Sequence, residues 1–415
     1  AEHRQDHRQG ERRVLSKQEH QADRDDDRGT RRVHEPRAEE HADADPLQWE
    51  LTTLSSGTEA AAAEDVAIAD VNGDGWLDIL AACELAHLVL FQNPGKDLRN
   101  TEWPRTIPPI TQDRGSYIRA FFADFDKDGR PEVVAANKGE QNPDVQKTKI
   151  RHNLSIYLLP DNPLDGSLWR EQVLGKVVIP INSMPFDLDG DGDLDVVAGS
   201  RGEQRILWFE NLGNLKFQEH AINWTNPLPE NVVTTGFNMD FADLNADGRI
   251  DIVMSAWPGY LLWAAQPASP EQTWQIHIIG DIVPDLLVSV RLGDIDGDGD
   301  LDAFSGAYSR GPRENDGDEV GPNDPMGRIV WFENQGDNNW ARHDISRRKR
   351  GMYDKWLMRD LDKDGDPDFI GTRGNSAPYD GVIWLEQVRT DKPVKAFAQA
   401  REQDSQQMPL PSASQ

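Results

Sequence analysis

The chain has 415 residues, with 73 Asp and Glu against 44 Lys and Arg, and a formal net charge of −29 at pH 7. That balance excludes a nucleic-acid partner, whose footprint on a protein is basic, and a single cysteine, Cys83, excludes an intramolecular disulfide. No apolar run is long enough to span a membrane as a helix.

Residues 1–45 are rich in Arg, Asp, Glu, Gln and His and poor in large apolar side chains. Such a segment cannot bury a core and is expected to be a disordered charged stretch. It holds no apolar region of the kind a signal peptide needs, and its histidines, His3, His7, His20, His34 and His41, read as part of a solvated segment rather than a metal tract. The run Trp49-Glu-Leu-Thr-Thr-Leu54 follows. It has an aromatic residue and an aliphatic one five places on, a pattern that recurs later in the chain.

From Asp70 onward one loop is written six times, as Asp-x-Asp/Asn-x-Asp-Gly-x-x-Asp/Glu, at starts 51 to 66 residues apart. Its acidic or amide positions 1, 3, 5 and 9 are Asp70, Asn72, Asp74 and Asp78, then Asp124, Asp126, Asp128 and Glu132, then Asp187, Asp189, Asp191 and Asp195. The second half of the chain adds Asp243, Asn245, Asp247 and Asp251, then Asp294, Asp296, Asp298 and Asp302, then Asp360, Asp362, Asp364 and Asp368. Calcium takes six to eight oxygen ligands at about 2.3–2.6 Å. Oxygens at positions 1, 3 and 5 converge on one side of a tight turn, the glycine at position 6 lets the backbone reverse, and a carbonyl at 7 and an acid at 9 close the shell. A turn alone does not require acids at four fixed places. The loops hold 22 carboxylates at these positions, and twelve charges from six divalent ions would bring −29 to −17.

Each loop is preceded by a short strand, such as Val66–Ala69 or Ala120–Ala123, and followed at once by an apolar, β-branched one. A third strand comes next, as in His87–Asn93, Arg205–Asn211 and Arg328–Asn334, and a fourth opens with Trp103, Trp169, Phe217, Trp274 or Trp340. Four strands per unit make the blade of a propeller. Six loops but only five following fourth strands place Trp49–Leu54 as the strand that completes the last blade, which would remove exposed sheet edges. The expected fold is all-β, a propeller of six blades of four antiparallel strands over residues 46–388, with a polar C-terminal tail over 389–415. A seventh blade would arise only if that tail contributed one.

Over about residues 48–388 the loops resemble those of FG-GAP/VCBS-type propeller repeats, also seen in the integrin α-subunit propeller, although the literal Phe-Gly and Gly-Ala-Pro signatures are not present. Members usually have seven blades and bind calcium on the lower face. The resemblance thus implies up to six Ca²⁺ ions, held by the residues at positions 1, 3, 5 and 9 of the six loops. Glu132 alters the second site, and Asn72 and Asn245 lower the charge of two others. Calcium loops of this strength fill where calcium is abundant, so a secreted or periplasmic location is expected.

In a propeller the first strand of each blade lines the central channel. Five residues before each loop stand Asp65, Arg119, Asn182, Asn238, Ser289 and Lys355, all polar among apolar neighbours. Strict alternation along a strand would make them a ring. By the same alternation Tyr117 and Tyr353 reach the mouth above it, and Arg291 lies in the layer below. Loops on the same face carry Arg201, Trp257, Arg310 and Arg373, which suit a saccharide or an anionic group. The plain alternative is that the ring lines a water-filled channel, Asp65 simply pairing with Lys355. No Gly-x-Ser-x-Gly, His-Glu-x-x-His or phosphate-binding glycine loop is present. His220, His277 and His343 recur at one repeat position, which points to a structural role.

Two functions are therefore expected. One is a calcium-stabilised monomeric binding module that recognises a glycan or protein through the face opposite the metal loops. The other is a carbohydrate-active enzyme of polysaccharide lyase or sugar dehydratase type, with Tyr117 or Tyr353 as base and Arg119, Asn182, Asn238 or Lys355 stabilising charge.

Overall fold

Short β-branched and aromatic runs, separated by turns rich in Asp and Gly, pair with their sequence neighbours as antiparallel meanders. The computed structural model describes residues 63–84, 87–97, 102–225, 228–283, 286–308, 329–346, 352–373 and 381–388, with Leu54 and Ala60. The chain divides into Ala1–Thr53 and Leu54–Gln415, and every described residue belongs to the second unit. The charged segment 1–45, residues 49–53 of the closing strand, Arg310 and the tail from 389 lie outside the described residues.

The first blade runs outward from the channel as β1 (Ala63–Ala69), β2 (Asp78–Cys83), β3 (Leu88–Phe91) and β4 (Arg105–Thr106). The second is β5 (Tyr117–Ala123), β6 (Glu132–Asn137), β7 (Arg151–Leu158) and β8 (Arg170–Val178), and the third β9 (Pro180–Phe186), β10 (Asp195–Ser200), β11 (Arg205–Asn211) and β12 (Phe217–Ala221). The fourth comprises β13 (Val233–Ala242), β14 (Asp251–Trp257), β15 (Tyr260–Ala265) and β16 (Gln275–Asp281). In the fifth the inner strand comes in two pieces, β17 (Leu286–Leu287) and β18 (Arg291–Gly293), before β19 (Asp302–Tyr308), β20 (Ile329–Asn334) and β21 (Trp340–Ser346). The sixth has three described strands, β22 (Trp356–Arg359), β23 (Asp368–Arg373) and β24 (Gly381–Leu385).

The sheets are a six-bladed β-propeller whose successive blades bury apolar faces against one another, while Val66 and Ile68 of the first blade and Leu357, Val382 and Trp384 of the last stay exposed. Leu80, Leu88 and Leu90 pack on Tyr117 and Val133 between the first two blades, and Phe304 packs with Trp356 and Phe369 between the last two. Each large side chain buried this way contributes about 1.5–3 kcal/mol. The turn of the ring demands close approach at the crowded inner positions. A Cβ on Gly371 would fall 2.2 Å from the Trp356 ring, so only glycine fits. Between the first and last blades Lys355 Nζ meets Asp65 Oδ1 at 2.6 Å, across 290 residues of sequence.

One local irregularity matters for function. The pairing of the inner strand with its neighbour slips between Ala63 and Asp65, between Tyr117 and Arg119, at Asn182 against Gly199, and between Thr234 and Met239. In the fifth blade the same stretch separates β17 from β18. A bulge of this kind re-aims side chains, and here it recurs at the same depth of the channel.

Candidate metal loops and channel mouth

Each loop joins an inner strand to the second strand of its blade, so all six leave the ring on one face. Their shape comes from a chain of side-chain to backbone bonds. In the first loop Asp70 accepts from the N–H groups of Gly73 (2.8 Å), Asp74 (3.1 Å) and Gly75 (2.8 Å), Asn72 accepts from Asp74 N (3.0 Å), and Asp74 accepts from Trp76 N (2.8 Å). The position 3 and position 5 bonds recur in the other loops, as for Asp189 from Asp191 N (3.1 Å) and Asp191 from Asp193 N (2.8 Å). Position 6 is Gly in all six, at φ between +84° and +100°, a conformation that L side chains avoid.

The acid at position 9 is different. It is buried, and it holds the loop to the blade. Asp195 Oδ2 accepts from Leu188 N (3.0 Å) and Trp208 Nε1 (2.8 Å), and its Oδ1 from Asn211 N at the end of β11 (2.8 Å). Asp78, Asp251, Asp302 and Asp368 make the same two backbone bonds, and Glu132 makes the first of them, from Phe125 N at 3.0 Å. In three blades the amide at the end of the third strand then ties the loop to the previous blade. Asn211 Nδ2 donates to Phe125 O (2.9 Å), Gln266 Nε2 to Leu188 O (2.7 Å) and Gln387 Nε2 to Ile295 O (2.9 Å). Lys127 also pairs with Asp193 of the neighbouring loop.

Carboxylate oxygens of Asp124, Asp126 and Glu132 lie within 4.8 Å of one another, as do those of Asp187, Asp189 and Asp195, of Asp294, Asp296 and Asp302, and of Asp360, Asp362 and Asp364. Several of these acidic clusters could hold a metal ion. Burial pushes the carboxyls of Glu132 and Asp195 up to about 7 and those of Asp251 and Asp302 to about 6. A donor set made only of oxygen, short of positive charge, fits a hard divalent cation rather than a thiophilic one.

On the opposite face five of the six polar residues of the ring reach toward other blades. Asn182 Nδ2 donates to Phe237 O (2.9 Å), Asn238 Nδ2 to Val288 O, and Lys355 to Asp65. Ser289 stays within its own blade, accepting from Gly306 N at 2.8 Å. The Arg119 guanidinium reaches across to the Phe237 ring at 5.0 Å and Lys355 Nζ lies 5.8 Å from the Phe121 ring. Arg119 is 3% exposed, yet its Nη2 has no partner, and the same holds for Asp65 Oδ2.

Strict alternation missed two members of this site. Glu64 and Asp354 stand one residue before Asp65 and Lys355, in a layer otherwise filled by Ile118, Ile181, Phe237 and Val288. The bulge brings that layer into the site in the first blade, and Asp354 sits just before β22. Burial raises both carboxyls while Arg119 opposes it. A hydrogen bond joins the two, and the Asp354 carboxyl is pushed up to about 7. The signal was in the sequence: two acids in adjacent blades at an otherwise apolar repeat position.

The two tyrosines also lie elsewhere than strict alternation places them. Tyr117 and Tyr353 do not reach the mouth; each is 1% exposed and belongs to the core between blades. Tyr117 Oη lies 2.8 Å from Tyr157 Oη, and burial raises its pKa, the reverse of what a general base needs. Arg291 faces Asp240 of the preceding blade at 3.4 Å. Arg201 begins the turn after β10, and Trp257, which ends β14, is 43% exposed. Arg373 closes β23, its side chain lying outside what is described. The outer-strand histidines stack on tryptophans, His220 on Trp208 (4.6 Å), His277 on Trp263 (4.8 Å) and His343 on Trp331 (4.4 Å). His220 and His343 also bond Glu210 (2.8 Å) and Glu333 (2.7 Å). Glu210, His220 and Glu271 form a further group close enough to hold a metal, but the Trp-His stack recurs in three blades as a packing element.

The FG-GAP-like repeat family model matches residues 70–135, 187–254 and 243–305. With six blades in a ring, the chain is an FG-GAP β-propeller repeat protein. No curated protein sequence matches it. Among solved structures it is similar to an Agrocybe aegerita lectin described as recognising non-reducing terminal N-acetylglucosamine, at 16% identity and TM-score 0.43, over 74% of this chain and 73% of that one. It is also similar to the V. cholerae biofilm matrix protein Bap1, at 14% identity and TM-score 0.36, over 69% of this chain and 40% of that one. A third likeness is the exotype rhamnogalacturonan lyase YesX, at 12% identity and TM-score 0.39, over 75% and 53%. The chain thus spans about half the length or less of the last two. Resemblance at this level has no bearing on ligand or reaction.

Proposed function

We propose that this protein is a calcium-stabilised binding module that works outside the cytoplasm and recognises a glycan through the face opposite its metal loops. The observation that carries the proposal is the division of the molecule into two faces. Convergent oxygen clusters lie on one, and a charged cluster with unpartnered polar atoms, set on inter-blade stitches, lies on the other. Calcium would be held by positions 1, 3, 5 and 9 of the loops. It would supply the positive charge that their buried carboxyls lack, and so keep adjacent blades in register.

A rigid ring of mixed donors and acceptors suits a ligand made of hydroxyl groups. The lyase reading finds less support, because both tyrosines it needs are in the core. The test is retention of the full chain on a glycan array with calcium and after metal removal, alongside a calcium titration. Retention that depends on calcium, with dissociation constants near the 10⁻⁴–10⁻³ M typical of extracellular modules, is expected. Submicromolar calcium affinity would count against the extracytoplasmic part, and a melting temperature indifferent to confirmed metal removal would end the calcium part.

A further inference from the structure

We propose that Glu64, Asp65, Arg119, Asp354 and Lys355 form a saccharide subsite at the channel mouth that takes the hydroxyls of a neutral sugar and turns away uronates. The proposal rests on the glycan-binding function above and names where the sugar sits and which sugars fit. Three buried atoms here lack partners: Arg119 Nη2, Asp65 Oδ2 and Asp354 Oδ1. One is a donor aimed among carboxyls, and two are carboxyl oxygens. Nature rarely leaves such atoms unpaired, since an unsatisfied buried polar group is costly. A hydroxyl accepts and donates at once, so adjacent sugar hydroxyls can accept from Arg119 and donate to Asp65 and Asp354 together.

The charge at the mouth sets the class of sugar. Three carboxyl groups, Glu64, Asp65 and Asp354, face two cations, Arg119 and Lys355, and Lys355 is already spent on Asp65 at 2.6 Å. A uronate carboxylate would bring a further anion into a site where burial already disfavours the ionised forms of Glu64 and Asp354. A neutral ring would not. The three unpartnered atoms are themselves closed to solvent, and the groups a sugar meets first are Lys355, whose side chain is 40% exposed, and the half-buried Glu64 and Asp354.

The experiment is titration of the calcium-loaded full chain with neutral oligosaccharides (galactose, mannose, fucose and N-acetylglucosamine series) and with uronate oligosaccharides, repeated for Asp354→Asn and Lys355→Gln. Both substitutions fall on partly exposed residues and are near-isosteric, and a thermal melt of each confirms the fold. A neutral series that binds, with affinity reduced about ten- to a hundredfold in the variants, supports the subsite. Binding of a neutral sugar that both folded variants keep overturns the subsite while the glycan-binding function stands. So does a preference for uronates. Absence of binding to every sugar overturns both. If the variants unfold, protection of Asp65 and Arg119 backbone amides by the bound sugar in the unmodified protein decides, and no protection overturns the subsite.

Discussion

Asp195 and Asp191 belong to one loop but do different work. Asp195 is 1% exposed and takes three hydrogen bonds from buried donors, whereas Asp191 lies exposed at position 5. Asp195→Ala should leave those donors unsatisfied and cost about 3 kcal/mol or more, in metal-free protein as well as in calcium. Asp191→Ala should leave the metal-free melting temperature within about 0.5 kcal/mol of the parent and weaken only the calcium response. Paired melts with and without calcium check this, and equal behaviour of the two variants would remove the distinction. At this scale the acids of the six loops were legible because the motif demands oxygen at fixed places. Glu64 and Asp354 were not, because period-two alternation is a rule for unbroken strands and the inner strands here are bulged. The same break sent Tyr117 into the core instead of the mouth, and Tyr353, just before β22, is buried there too.

Between elements, three of the loops are tied to the loop of the preceding blade. Gln266 Nε2 reaches Leu188 O, one residue into the loop of the preceding blade, while its own N–H holds Asp251. Gln266→Ala should lower stability by about 1–2 kcal/mol and weaken calcium binding at the Asp187–Asp195 loop as well as at its own, measured by calorimetric titration against the parent. An effect confined to the Asp243–Asp251 loop would show that the loops act independently. The blade as a four-strand unit was readable from the aromatic that opens each outer strand. The lengths were not, since β4 keeps only Arg105–Thr106 paired while β8 extends over Arg170–Val178. A third prediction concerns the last blade, which has three described strands. Leu54, described at the edge of the closing run, packs with the cluster of Ala81, Cys83, Val89, Phe91 and Trp103. Removing residues 1–45 should change the melting temperature little, whereas removal through Leu54 should lower it sharply. Identical melts for the two truncations would contradict a closing role for Trp49–Leu54.

For the whole molecule, the seam between first and last blades is held by ionisable groups, so ring closure should respond to pH. Asp354 and Glu64 have carboxyls raised above their unfolded values near 4. A raised acid is penalised on ionising, so its cost to the folded state appears as pH climbs past the unfolded value and is complete above the folded one. Stability should therefore fall between about pH 4 and 7 from this pair alone. Asp354→Asn, which cannot ionise, should flatten that fall and melt higher than the parent above pH 7. A parallel pH profile for parent and variant would exclude the pair as its source. The ring itself was evident from six repeats, whereas the occupation of its channel by Arg119 and Lys355 lying across to Phe237 and Phe121 was not, because contacts across the axis leave no trace in repeat spacing.

Because every acidic loop leaves the ring on the same side, the metal-free propeller is a disc with a single strongly anionic pole. Fields from separate loops add within a Debye length, about 8 Å at physiological ionic strength, and concentrate counter-ions before any one loop closes around its own. Capture of the first calcium should then be fast and slowed by added salt. Each ion bound discharges the pole a little, so later ones should arrive more slowly and bind less tightly, and filling should spread over a broad range of calcium concentration rather than occur at a threshold. If calcium is the ion it takes, such a molecule would respond to the surrounding calcium in graded fashion, as a buffer does and a switch does not.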